Sequence, residues 1–338
     1  MLTKSEIKDQ PEVFHRIKES HPEILNDVQN FILKSDARQV GFIGCGSSYY
    51  LGMGLACHLN RLSSEEVTGH YYSGSEIMLG LRQIPADMIM VGISRSGESS
   101  ETVAALKQLQ KKGIKTVALT CEPDSSIVKY ADVPVVLDFI GEKSIVMTKS
   151  FTAMAFSFSL LLMKLFQAER VSDYLNTVTA STQQMMEEAD QKLDAVRAHT
   201  FEHYVLLGYD EYYSACMEGL VKLTETTLSE VDTYQTLEYR HGPKSKVRRG
   251  TLAFISSNTK TYDEEMKMAR EIESLGGKVL IMTSEANCPM DSITFPDDTL
   301  YQDWFLRVIP LQLTGIKRAV EKGLNPDEPK NLSKVVKL

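Results

Sequence analysis

MIMVGISRSGESSET, residues 88–102, is the stretch whose reading decides the fold. Met88 to Ile93 is an uncharged apolar run, the pattern of a strand buried on both faces. It enters a turn of serines with one arginine, and Thr102 to Lys112 then carries apolar positions at helical spacing until Gly113 stops it. This strand–turn–helix unit occurs upstream as well. QVGFIG (39–44) ends in the turn CGSS (45–48), and SYYLGMGLACHLNRL continues with helical period. KTVALT (115–120) and VPVVLDF (133–139) read as further strands. Strands alternating with helices imply right-handed crossovers and a parallel, doubly wound sheet covered on both faces.

The second half has the same rhythm. HYVLLG (203–208), TLAFISSN (251–258) and KVLIMTS (278–284) answer the strands of the first half at nearly the same offsets, which reads as duplication. The expected class is α/β, with two doubly wound parallel-sheet domains in tandem. The expected organisation is a helical segment over 1–34, a first domain over 35–168, connecting helices over 169–199, a second domain over 200–325 and an irregular tail over 326–338. Pro11 and Pro22 are expected to break the first segment into two short helices, and the polar, glycine-free Ser172–Arg197 reads as a helix pair.

Composition narrows the function classes. The 338 residues hold 37 Lys plus Arg against 45 Asp plus Glu, a net charge of −8, and no basic run offers a nucleic-acid backbone a stripe to follow. The longest apolar stretch, Phe151 to Met163, is shorter than the ~20 residues a spanning helix needs and reads as a buried helix, so no membrane partner is expected. The N-terminus has no signal-peptide pattern, and a cytoplasmic location is the expectation. The five cysteines are widely spaced and never C-x-x-C, which argues against a disulfide frame and a zinc site. His199 and His203 lack the intervening Glu of a metalloprotease helix, so no metal and no cofactor are expected.

The turn SRSGESSET (94–102) lies between a buried strand and a helix, where backbone N–H groups and the helix dipole favour an anion. Ser94, Ser96, Ser99 and Ser100 add hydroxyls, and Arg95 adds a fork suited to phosphate oxygens. Ser47 and Ser48 stand in the paired turn after the neighbouring strand. A P-loop and a G-x-G-x-x-G fingerprint are both absent, which disfavours a nucleotide. One Ser/Gly run is ordinary helix-capping chemistry. Two at adjacent strand ends favour a phosphate pocket.

CGSS (45–48), SRSGESSET (94–102), VMTKSFT (146–152), EGLVKLTETT (218–227) and EYRHGPKS (238–245), in this order, resemble the tandem sugar-isomerase (SIS) domain family, and PKNLSKVV (329–336) is similar to the family's C-terminal segment in glucosamine-6-phosphate synthase. The resemblance runs from about residue 35 to the end. It implies a sugar-phosphate ligand held by Ser48, Ser94, Arg95, Ser96 and Ser99, with the Thr148 loop near the sugar. It further implies Glu225 as the base, Lys222 one turn before it, His241 as a ring-opening histidine reaching in from a neighbouring subunit, and Lys334 as a tail lysine that engages the sugar carbonyl. Arg95 and Met147 depart from the synthase, which has glutamine and serine there. No match to the synthase's glutamine-hydrolysing domain is found in the sequence, so glutamine-driven amination is not expected.

The residue types suit that chemistry. Shifting a proton between C1 and C2 of an open sugar requires a carboxylate to shuttle it, and a histidine can protonate the ring oxygen at neutral pH. From spacing alone, however, Glu218, Lys222 and Glu225 read as a solvated ion-pair face, and His241 before Gly242-Pro243 reads as the cap of a chain reversal. The expected function is a metal-independent phosphosugar isomerase or amino-sugar-phosphate deaminase. The alternatives are a fructosamine-6-phosphate deglycase and a non-catalytic sugar-phosphate-binding regulator. A shared His241 site implies a homodimer or a dimer of dimers.

Overall fold

The computed structural model describes residues 1–64, 66–296 and 302–334. They form two compact units, one built from Asp9–Lys143, Met147–Leu175 and the tail from Ser333, the other from Met1–Lys8, Ser144–Val146 and Asn176–Leu332.

In the first unit, five parallel strands stand in the order β2-β1-β3-β4-β5: β1 (Gln39–Gly44), β2 (Thr68–Ser73), β3 (Met88–Ile93), β4 (Lys115–Thr120) and β5 (Val133–Val136). β3 is buried at all six positions, as its uniform apolar sequence requires. Helices α3 (Ser47–Leu62) and α5 (Ser100–Lys111) follow β1 and β3. Because β1 pairs with both β2 and β3, the chain leaves it in opposite directions along the sheet, and the crevice beyond the strand ends lies between β1 and β3.

The apolar stretch at 151–163 becomes helix α6 (Lys149–Phe166), buried from Lys149 to Met163. Among the described residues it is the one helix long and apolar enough to cross a membrane, and 83% of it is buried inside the protein. Phe156 packs edge-on against Phe14 at 5.3 Å and Tyr174 at 5.5 Å, contacts worth about 0.5–1.5 kcal/mol each beyond area burial. Phe14 belongs to α2 (Gln10–Leu33), and here the expectation of two short helices needs correction. Only Leu2–Lys8 (α1) is short; α2 has Pro11 in its first turn, where the missing N–H costs nothing, and runs through Pro22 without ending. Apolar packing of Phe14, Ile17, Leu25 and Val28, on both sides of that proline, outweighs the one lost hydrogen bond. The expected helix pair over 172–197 is likewise a single helix, α7 (Val171–Ala195), because nothing in that stretch breaks it. The helix α4 (Gly74–Met78) completes this unit's layer after β2.

The second unit repeats the topology. Its strands β6 (His203–Leu207), β7 (Glu230–Tyr234), β8 (Thr251–Ser256), β9 (Lys278–Thr283) and β10 (Ser292–Thr294) are all parallel, in the order β10-β9-β8-β6-β7. Numbered within each half, both sheets read 2-1-3-4-5. Helices α8 (Asp210–Thr227) and α9 (Tyr262–Ser274) follow β6 and β8, and α10 (Val308–Glu321) packs on α8. Gly219 makes that approach possible, since a Cβ there would stand 2.2 Å from Leu311. The first helix, α1, is tied to this unit: Asp327 accepts from the Leu2 and Thr3 amides at 2.7 Å and from the Thr3 hydroxyl.

Candidate functional site

The crevice of the first sheet lies between two turns. After β1, Gly46 (φ +55) lets the chain reverse into α3, so that Ser47 opens the helix and Ser48 is buried beside it. After β3, the buried Ser94 starts a turn in which its Oγ lies 3.1 Å from that of Ser99, the residue before α5. Ser96 Oγ accepts the Glu98 amide at 3.2 Å. Gly97, at φ +64, sits so close to Ser125 that an added Cβ would lie 2.0 Å from its hydroxyl. Glu98 in turn accepts from the Ser126 amide and hydroxyl at 2.7 and 2.8 Å, bracing the turn on the β4 side. Two helix N-termini therefore open at neighbouring strand ends, the arrangement that favours a phosphate. A cavity of about 690 Å³ adjoins the first turn, lined by Cys45, Gly46, Tyr49, Tyr71, Arg82 and Glu101 among others.

Arg95 does not extend from this turn as a loose fork. Its guanidinium donates to Glu142 at 2.9 Å, and both side chains are almost fully buried. The same carboxylate accepts the Thr148 amide and hydroxyl, each at 2.8 Å, together with the amide and hydroxyl of Ser150 at the start of α6. Burial alone would raise the Glu142 pKa, but Arg95 and these hydroxyls outweigh it and hold the carboxyl below its usual range. Lys334 stays exposed, as a tail lysine is expected to be, and its Nζ donates to the Glu142 main-chain carbonyl at 3.2 Å. Glu142 is the residue that sequence reasoning missed. It stands in the polar loop GEK (141–143), 47 residues from Arg95, and no local spacing signals its partners.

In the second unit, Glu225 lies in the last turn of α8, and Lys222 Nζ is 3.0 Å from it and 3.3 Å from Glu218. The reading of this stripe as a solvated face is overturned: Glu218 and Lys222 are buried, and only Glu225 keeps partial exposure. Burial pulls the Lys222 pKa down, yet the two carboxylates outweigh it and leave it raised. Glu225 opens onto a cavity of about 270 Å³ shared with Leu228, Asn325 and Lys330. His241 is exposed, between the 3-10 turns Glu238–Arg240 and Pro243–Lys246.

The corresponding crevice of the second sheet is filled. Arg307 donates to the carbonyls of Ser257 and Met282, pairs with Asp303 at 2.8 Å and lies 3.8 Å over the Tyr212 ring, while Tyr212 donates to Asp303. Among the described residues one cluster has metal-ligand composition, His203 with Glu230 and Asp232. Lys246 bridges both carboxylates at 2.8 and 2.7 Å and Arg248 takes Glu230, so side chains already supply the positive charge a metal would bring.

Residues 34–164 match the SIS domain model. The chain carries a SIS domain. Its two five-stranded parallel sheets are tandem repeats of one topology, with the matched region on the first. The sequence is 26% identical over 317 residues to glutamine–fructose-6-phosphate aminotransferase (isomerizing) of Shewanella oneidensis, covering 89% of this chain and 52% of that protein. The chain thus spans about half the length of this curated relative. The crystal structure of glucosamine-6-phosphate deaminase from Thermotoga maritima superposes with a TM-score of 0.82 at 27% identity over 100% of both chains. The C-terminal domain of glucosamine-fructose-6-phosphate aminotransferase from Francisella tularensis shares the fold at a TM-score of 0.83 and 22% identity, covering 96% of this chain and 97% of that one.

Proposed function

We propose that this SIS protein is a cytoplasmic, metal-independent enzyme acting on a hexose-6-phosphate derivative, as an isomerase or an amino-sugar-phosphate deaminase. The observation that carries this reading is the pair of serine-bearing turns at the β1 and β3 ends, each opening a helix N-terminus. Ser47, Ser48, Ser94, Ser96 and Ser99 hold the phosphate ester, and the Thr148 loop meets the sugar. Glu225 moves the proton between C1 and C2, Lys222 pairs with it at 3.0 Å and holds it in place, and His241 protonates the ring oxygen from a neighbouring subunit. Lys334 engages the open-chain carbonyl. The name of the Thermotoga relative, a glucosamine-6-phosphate deaminase, supports an amino-sugar phosphate as substrate. The alternative is a deglycase, whose substrate carries a larger substituent.

The test is an assay of the purified protein with glucosamine-6-phosphate, galactosamine-6-phosphate and fructoselysine-6-phosphate, following ammonia and hexose phosphate. Ammonia from either of the first two supports a deaminase; hexose phosphate with free lysine supports the deglycase. Glu225→Gln is expected to lower turnover at least about a thousand-fold while the sugar phosphate still binds. Undiminished turnover would remove Glu225 from the mechanism.

A further inference from the structure

The Arg95 guanidinium in the β3 turn, the Thr148–Ser150 segment that opens α6 and the tail Lys334 share one partner, and that partner is Glu142. Its Oε2 takes Arg95 and the Ser150 hydroxyl, its Oε1 takes Thr148 twice and the Ser150 amide, and its main-chain carbonyl takes Lys334. A carboxylate buried to this degree is costly unless every oxygen is satisfied, and here it is satisfied by Arg95 from the β3 turn and by the Thr148–Ser150 segment that follows it in the chain. An α6 N-terminus occupied by the protein's own carboxylate has no vacancy for a ligand's phosphate. The anion of the substrate is thereby directed to the serine turns, where the amides of α3 and α5 open.

We propose that Glu142 is a positioning residue that sets the 94–99 turn, the Thr148 loop and Lys334 in register, so that a sugar phosphate meets a preformed surface. This inference rests on the functional reading above. Glu142 touches no reacting atom; it acts through Arg95, Thr148 and Lys334. Preformed geometry lowers the ordering cost of binding, so its loss shows first in affinity and only then in turnover.

The experiment measures fructose-6-phosphate and glucosamine-6-phosphate binding by calorimetry, with KM, kcat and the pH profile of kcat, for wild type and Glu142→Gln. Arg95→Gln/Glu142→Gln replaces the charged pair by two amides and leaves no orphan charge if the single variant does not fold. The expected result is at least ten-fold weaker binding and a matching rise in KM, with the midpoints of the kcat pH profile unchanged because the proton-moving groups are intact. Glu142→Asp, one methylene short of Arg95, is expected to recover little. Wild-type affinity in a folded variant overturns the assignment to Glu142 while the functional reading stands. A wild-type protein that binds neither phosphosugar overturns the functional reading itself and the inference with it.

Discussion

Glu265 is buried in the first turn of α9, held by the Thr261 hydroxyl at 2.7 Å, and burial pushes its pKa up to about 7 despite help from Ser257, Thr261 and nearby Arg307. Arg307 is committed to Asp303 and cannot fully compensate. Tyr209 and Cys216 also face this group, and both are neutral near pH 7 with their pKa raised by burial. The linkage sign follows from the raised value. The unfolded chain ionises this carboxyl near 4.5, so stability is intact below that pH and declines as pH rises toward about 7. Glu265→Gln is therefore expected to melt like wild type at pH 4 and to be more stable by up to about 3 kcal/mol at pH 8, from the 1.36 kcal/mol that each pKa unit represents. Thermal denaturation at the two pH values checks this, and parallel curves for both proteins would refute it. Nothing in YDEEMKMAREIES distinguishes Glu265 from Glu264, which is half-buried; only the direction in which the helix faces the sheet does.

The turn after β3 depends on local geometry that its sequence does state. Gly97 is required twice, for φ +64 and for the close approach of Ser125, whose Cβ would lie 2.3 Å from an added methyl. Gly97→Ala is expected to cost about 2–4 kcal/mol, from left-handed strain and overpacking together, and to weaken sugar-phosphate binding in the same protein. Gly97→Ala/Ser125→Gly removes the clash and leaves the strain, so about half of the stability loss should return, as denaturant unfolding can show. At this scale the central strands β1, β3, β4, β6, β8 and β9 were legible because each is an uninterrupted apolar run. The strands β2, β7 and β10 were not. TGHYYS, EVDTY and SIT lie at or next to sheet edges, are only partly buried, and carry polar residues that mask a strand pattern.

Across the molecule, duplication has produced two sheets of the same order with different fates. The mouth of the first carries hydroxyls and adjoins a large cavity; the mouth of the second is closed by Arg307, Asp303 and Tyr212. Among the described residues the serine-lined crevice belongs to the first sheet. If His241 acts in a neighbouring subunit, as proposed, each complete site needs two chains. Mixed dimers of Glu225→Gln with His241→Asn, each inactive alone, would then regain roughly a quarter to a half of wild-type activity, since half of the sites in a hybrid are intact. An enzyme assay on dimers separated by tag would decide it: no recovery would place the histidine and the carboxylate in one chain's site, and an active His241→Asn homodimer would remove the histidine from the mechanism.

The α/β class, the tandem repeat and the serine turns could be derived from the sequence alone, because apolar runs, helical periods and glycine stops are properties of neighbouring residues. Tertiary structure alone decided that Pro22 is carried inside a long helix, that the Glu218–Lys222 stripe is buried, and that Arg95 is held by Glu142. Each of those depends on which residue distant in the chain comes to lie within a few ångströms. That is settled by how the elements pack, and short-range spacing does not record it.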